Sequence, residues 1–163
     1  MTSTIAEPVS PVLSVNASTL LTSERYDIPV KWRFIRHLAE GGDPDSERVY
    51  RWHIEKRTGG REPRSWKRSV DDYVAALAVL LAGMRVDGFD ANYPVVLGAN
   101  GRLRDGAHRV ACALFLGLPV LAVTDPRDGS ATWGLDWFRR HDMGPADLQR
   151  IEADWQWLKA RSC

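Results

Sequence analysis

Apolar positions along the chain switch repeatedly between a helical and a strand period. Over residues 73–84, Val74, Leu77, Ala78 and Leu81 recur at helical spacing, which predicts a helix with one face on a core. Val110, Ala111, Leu114 and Phe115 repeat that spacing from Ala107 to a stop at Gly117. Leu148, Ile151, Trp155 and Leu158 form a third stripe behind Gly144-Pro145, where proline suits the first helical position. Shorter helices are expected over 32–38, with Trp32 and Ile35 inward, over 46–57, carrying Val49, Tyr50, Trp52 and His53, and over 133–140, anchored by Trp133, Leu135, Trp137 and Phe138. Runs of strand type lie between them at 12–15, 94–97, 102–104 and 119–123. Ala99-Asn100-Gly101 is turn chemistry that can join the middle two as a hairpin.

The period changes most sharply at residues 101–117. Asp105-Gly106 breaks a strand and a helix begins at Ala107, so Asp105, Gly106, His108 and Arg109 crowd one helix start. The first N–H groups of a helix have no internal partner and sit at the positive end of its dipole, where a phosphate is stabilised. Gly106 lets a ligand approach the backbone, and Arg109 can make two parallel hydrogen bonds to phosphate oxygens. His108 can donate to the same anion or shuttle a proton near neutral pH. Asp105 can hold a metal ion or accept a proton from a hydroxyl. It can also be a plain N-cap, which is among the commonest uses of Asp before a helix.

Two other polar clusters stand out. In residues 23–31, Arg25 and Lys31 are suited to binding a charged substrate, and Glu24 or Asp27 to acting as general base; a salt-bridged surface turn is the competing reading. In residues 57–68, Arg57, Arg61, Arg64, Lys67 and Arg68 surround Gly59-Gly60 and Trp66. Such a loop can close over an anionic ligand or track a nucleic-acid backbone.

Composition narrows these choices. A chain of 163 residues with 44% apolar residues can build one real core. The net charge of +1 disfavours a general nucleic-acid protein. Two cysteines, Cys112 and Cys163, suggest neither a disulfide framework nor a zinc site. No apolar run reaches the length of a membrane span, and no leader pattern is evident at the N-terminus, so a cytoplasmic location without membrane contact is expected.

The run Leu103, Asp105-Gly106-Ala107-His108-Arg109, Ala111, Ala113, Leu114, Gly117 and Pro119-Val120 resembles the ParB/sulfiredoxin superfamily. The likeness extends back through the helix around 71–81 and the strand at 94–97. It implies an α+β domain over residues 12–125, a small mixed sheet flanked by helices, after a loose segment at 1–11 and before a helical C-terminal extension at 126–163. In that superfamily a Gly-x-His-Arg turn binds nucleotide phosphates. Sulfiredoxin-like members carry a cysteine directly before this histidine; Ala107 stands there, so sulfinic-acid reduction is disfavoured. Room for the helix-turn-helix and dimerisation tail of chromosome-partitioning members is lacking.

The closer likeness is to small ParB-like phosphotransferases of the free amino-acid kinase type. That implies ATP or ADP with Mg²⁺, phosphates at Gly106, Ala107, His108 and Arg109, and Asp105 on the metal or acceptor. Glu24 or Asp27 would activate a small-molecule acceptor that Arg25 and Lys31 orient. A non-catalytic nucleotide-sensing module is the alternative, and a ParB-like nuclease a more distant one. A homodimer is left open.

Overall fold

The computed structural model describes residues 10–129 and 133–161. Strands β1 (Leu13–Val15), β2 (Val95–Leu97), β3 (Leu103–Asp105) and β4 (Val120–Thr124) form one mixed sheet in the order β1-β4-β2-β3. β1 runs antiparallel to β4, β4 parallel to β2, and β2 antiparallel to β3. Six helices accompany it among the described residues: α1 (Asp27–Glu40), α2 (Asp45–Thr58), α3 (Val70–Asp87), α4 (Ala107–Leu116), α5 (Leu135–Arg140) and α6 (Pro145–Ala160). The class is α+β, and none of these helices is long and apolar enough to cross a membrane. Residues 1–9 of the segment expected to be loose lie outside the described residues.

α1 is the hub, packing on α2, α3, α4 and α6. Its Ile28, Phe34 and Ile35 are wholly buried, and so are Val110, Ala111, Cys112 and Ala113 of α4. Ala111, Cys112 and Ala113 point to successive sides of α4, so the helix is enclosed on more than one side. Each large apolar side chain in this interface contributes about 1.5–3 kcal/mol. α1 begins five residues before the helix expected at Trp32, so Asp27 and Lys31 belong to its first turns and are buried. An acid at the first helical position complements the dipole, and Pro29 is tolerated in a first turn.

Ser69 and Asp72 open α3 with reciprocal side-chain-to-backbone bonds, each 3.2 Å long. The inward face of α3 is Tyr73, Leu77, Leu81 and Met84, whereas Ala78 is exposed. The buried stripe is turned from the expected one because α3 is apolar on nearly every side, so periodicity alone does not select a face.

The C-terminal helices pack on the same chain. Trp155 stacks on Tyr26 with ring centroids 5.4 Å apart, and its indole N–H donates to the Thr22 carbonyl at 3.1 Å. Trp137 and Phe138 are buried against Trp52 and His53 of α2.

Between β3 and α4, Gly106 has φ 110°, and a Cβ there would lie 2.6 Å from Cγ1 of Val95. The glycine is thus required by backbone conformation and by the sheet beneath it. Gly106→Ala is expected to cost ~2–5 kcal/mol, combining a left-handed alanine with an overpacked contact. Denaturant unfolding checks this, and an unchanged midpoint would contradict it.

Candidate functional site

A cleft of about 1260 Å³ opens between α3 and the first turn of α4. One wall is the α3 side, from Tyr73 to Asp87; the other is the turn at residues 105–109. The basic loop after α2 reaches it through Trp66 and Lys67, and Arg25 and Arg57 line it as well. The motif turn, the basic loop and the first polar cluster, separated in sequence, therefore meet at one cavity.

Within the motif turn the side chains differ in what they can do. Asp105 is at the rim, its side chain 75% exposed, and pairs with Arg109 at 3.0 Å. Gly106 and Ala107 are buried and line the cleft. The Arg109 guanidinium donates to the backbone carbonyls of Tyr93 and Pro94 as well as to Asp105. Arg109 thus ties the loop before β2 to the start of α4, and most of its fork is engaged within the protein.

His108 borders the cleft, and its Nε2 lies 2.9 Å from the Tyr50 hydroxyl. Burial, reinforced by the charges of Lys31 and Arg57, holds its imidazole well below the ordinary histidine range. His108 is therefore neutral at neutral pH. Burial also raises the Tyr50 phenol above its ordinary value, which keeps the hydroxyl as a donor. The Tyr50 hydroxyl also lies 3.5 Å from the Tyr73 carbonyl, so it either donates to Nε2 with the ring proton on Nδ1, or donates to that carbonyl and accepts from Nε2–H.

Beneath this turn lies a buried ion network. Asp27 Oδ2 accepts from Arg25 at 2.9 Å and from Lys31 at 3.0 Å, and Asp27 and Lys31 are wholly buried. Burial alone would raise the Asp27 carboxyl; Lys31 and Arg25 more than offset it and hold the carboxyl below its ordinary value. Burial lowers the Lys31 ammonium to about 8, against the opposing pull of Asp27. Arg57 has its guanidinium 6.0 Å from the Tyr73 ring and forms no ion pair among the described residues. Arg25, Lys31 and Arg57 thus set three cations against the single carboxylate of Asp27.

Several buried polar atoms here have no hydrogen-bond partner in the protein: Arg25 Nε, Arg57 Nε, Asp27 Oδ1 and the Tyr73 hydroxyl. Unsatisfied buried polar atoms are rare and costly, at about 1–3 kcal/mol each, and here they include two guanidinium donors and one carboxylate acceptor.

Of the residues singled out in sequence, Arg25, Asp27, Lys31, Asp105, Gly106, Ala107, His108 and Arg109 are brought together at or directly beneath the cleft. Glu24 stands apart: it pairs with Arg102 at 2.6 Å and does not line the cavity. From sequence alone, Tyr50 and His53 have no role beyond the helix over 46–57, and Tyr73 none beyond the start of the next helix. His53 is wholly buried beside this network, with neither ring nitrogen bonded, and burial together with Lys31 and Arg57 lowers its imidazole. Tyr50, His53 and Arg57 fall at i, i+3 and i+7 on α2, a spacing that places them on one face and was the available signal.

Comparison of the chain with protein-family models, curated proteins and solved structures finds no match in any of the three.

The depressed Lys31 value fixes a sign. Between about pH 8 and 10.5 the unfolded chain holds a proton at Lys31 that the folded chain has lost, so folding gains stability as pH rises through that window. Relative to a Lys31→Met variant, the wild type should gain up to ~1.4 kcal/mol per pH unit there. Urea unfolding of both proteins at pH 7.5, 9 and 10 reads the difference; parallel pH profiles would contradict the assignment.

Proposed function

We propose that the cleft binds the phosphates of a nucleotide and that the protein is a nucleotide-dependent phosphotransferase acting on a small metabolite. The observation that carries this reading is the surplus of cationic donors on the cavity wall. Arg25 and Arg57 line it, each with a buried and unbonded Nε, and Lys31 adds positive charge behind them against the buried carboxylate of Asp27; Lys67, Arg104 and Arg109 line it as well, alongside Glu62, Asp87, Asp90 and Asp105. The first turn of α4 borders the same cavity, adding free amides and the positive end of a helix dipole. The likeness of residues 103–120 to the ParB/sulfiredoxin pattern supports the same ligand class, and a nucleotide fits within the available volume.

The roles follow from the geometry. Arg25 and Arg57 hold phosphate oxygens and neutralise charge that develops on transfer. Lys31, wholly buried behind them, acts through its field. Arg109 holds the turn in shape more than it grips a ligand. Asp105 is the solvent-exposed carboxylate of the turn, so it is the residue able to position an acceptor hydroxyl or to meet a metal ion. Magnesium usually takes one or two protein carboxylates beside phosphate oxygens, and a single rim carboxylate fits an ion that arrives with the nucleotide. When bound, such an ion neutralises phosphate charge during transfer.

A second reading has its own observation. Asp27 is wholly buried and committed to two cations, and Glu24 lies outside the cleft, which leaves Asp105 as the one sequence-predicted carboxylate open to an acceptor. That arrangement also suits a nucleotide-sensing module without turnover.

Calorimetric titration of ATP, ADP and CTP with Mg²⁺ tests binding. Arg57→Ala should weaken it roughly ten- to hundredfold, the value of a charged hydrogen bond of ~1.5–3 kcal/mol, while the thermal midpoint stays close to wild type. Equal affinity in wild type and variant would overturn the phosphate site. Phosphate transfer to a screened acceptor, read by ³¹P NMR, then separates an enzyme from a sensor.

A further inference from the structure

The cleft is longer and less polar than a phosphate site requires. α3 lines it from Tyr73 to Asp87, a span of about 21 Å at the helical rise of 1.5 Å per residue. At one end Arg57 and Lys67 lie 6.0 and 4.7 Å from the Tyr73 ring; Arg104 and Arg109 line the wall opposite α3, and Asp87 and Asp90 the far end. Farther along α3 the wall is Ala76, Leu80 and Gly83, spaced i, i+4 and i+7 and therefore on one face. These residues offer no side-chain donor or acceptor, and the backbone of a helix interior is bonded to itself. The wall recognises apolar area and does not read a hydrogen-bonding edge such as that of a nucleobase.

Gly83 is the telling residue. It sits inside an 18-residue helix, where glycine costs about 1 kcal/mol relative to alanine. Its φ is not in the left-handed region, and a Cβ built on it meets no protein atom within 4 Å. Neither backbone geometry nor packing within the protein calls for a glycine; the space beside it belongs to the cleft. At the mouth, Trp66 and Tyr93 are 62% and 69% exposed and form no ring pair among the described residues. Two large unpaired aromatic side chains at a cavity mouth suit a planar apolar guest.

We propose that the acceptor taken by this cleft has an apolar, ring-bearing body lying along Ala76, Leu80 and Gly83, with its polar end toward the cationic end of the cavity. The inference rests on the phosphotransferase reading for calling this guest an acceptor, and on the anion-binding reading for the placement of its polar end. The cavity volume of about 1260 Å³ exceeds the usual range of single-ligand pockets, roughly 300–1,000 Å³, and leaves room for such a body beside a nucleotide.

The test uses three probes, inorganic phosphate, 1-naphthyl phosphate and 1-naphthol, titrated into the full chain by calorimetry and naphthyl fluorescence. The variants are Gly83→Leu, which fills the wall and favours the helix, and Ala78→Leu, a control on the exposed side of α3. 1-Naphthyl phosphate should bind at least about tenfold more tightly than phosphate, the gain expected from burying a ring face. Gly83→Leu should abolish that gain and the binding of 1-naphthol, leave phosphate affinity unchanged and keep or raise the thermal midpoint. Ala78→Leu should change none of these. If phosphate does not bind but 1-naphthol does, and Gly83→Leu removes it, the anion reading falls and the apolar wall stands. Phosphate binding with no naphthyl gain, or naphthyl binding indifferent to Gly83→Leu, overturns the proposal.

Discussion

A single buried carboxylate organises the cleft side of this protein. Asp27 sits at the first position of α1 with its side chain out of water, and it accepts from both Arg25 and Lys31. Without it, two cations would be buried beside a third, Arg57, with nothing to offset them. Removing one partner from a buried ion network typically costs about 3–5 kcal/mol, because the remaining charges are left unpaired. With Asp27 in place the network is tolerated but incompletely neutralised. Arg25 and Arg57 of this network line the cavity, and in the proposed reading a bound anion completes it.

The elements around the cavity are arranged so that this charge is accessible. α2 ends at Thr58 with Arg57 in its last turn, and Gly59 follows in a left-handed conformation that turns the chain away. The loop that follows leads to the capping box of Ser69 and Asp72, which fixes the start of α3. Across the cleft, Gly106 joins β3 to α4 in a conformation and a space that only glycine fits, and Arg109 ties that turn to the carbonyls before β2. The rigid parts are thus the two helix starts, and Arg25, Arg57, Lys67 and His108 are among the side chains that line the cavity between them. A neutral His108 held by Tyr50 adds a shaped polar surface to that wall without adding charge.

Most element positions were legible in the sequence because they rest on local rules. The hairpin at Asn100-Gly101, the stop at Gly117 and the proline at the start of α6 each have a local physical cause. The first turns of α1 were not legible in this way: Arg25, Asp27 and Lys31 read either as a cluster for a charged substrate or as a salt-bridged surface turn, because their burial around Asp27 is a three-dimensional fact. The inward face of α3 was ambiguous because alanine, valine and leucine surround the helix. At the candidate site, the clustering of Asp105, Gly106, His108 and Arg109 was visible, but the division of labour was not. The carbonyls that occupy Arg109 come from Tyr93 and Pro94, sixteen and fifteen residues away, and nothing in the local pattern announces them. Arg57 was one basic residue among several in its loop; the cavity distinguishes it.

The most direct test of the central claim is to see where an anion settles. Crystals of the protein soaked in tungstate, a phosphate analogue with a strong anomalous signal, should show a peak beside the guanidinium groups of Arg25 and Arg57, near the first turn of α4. Tungstate bound only at other surface cations, with this cleft empty at full soak concentration, would contradict the account.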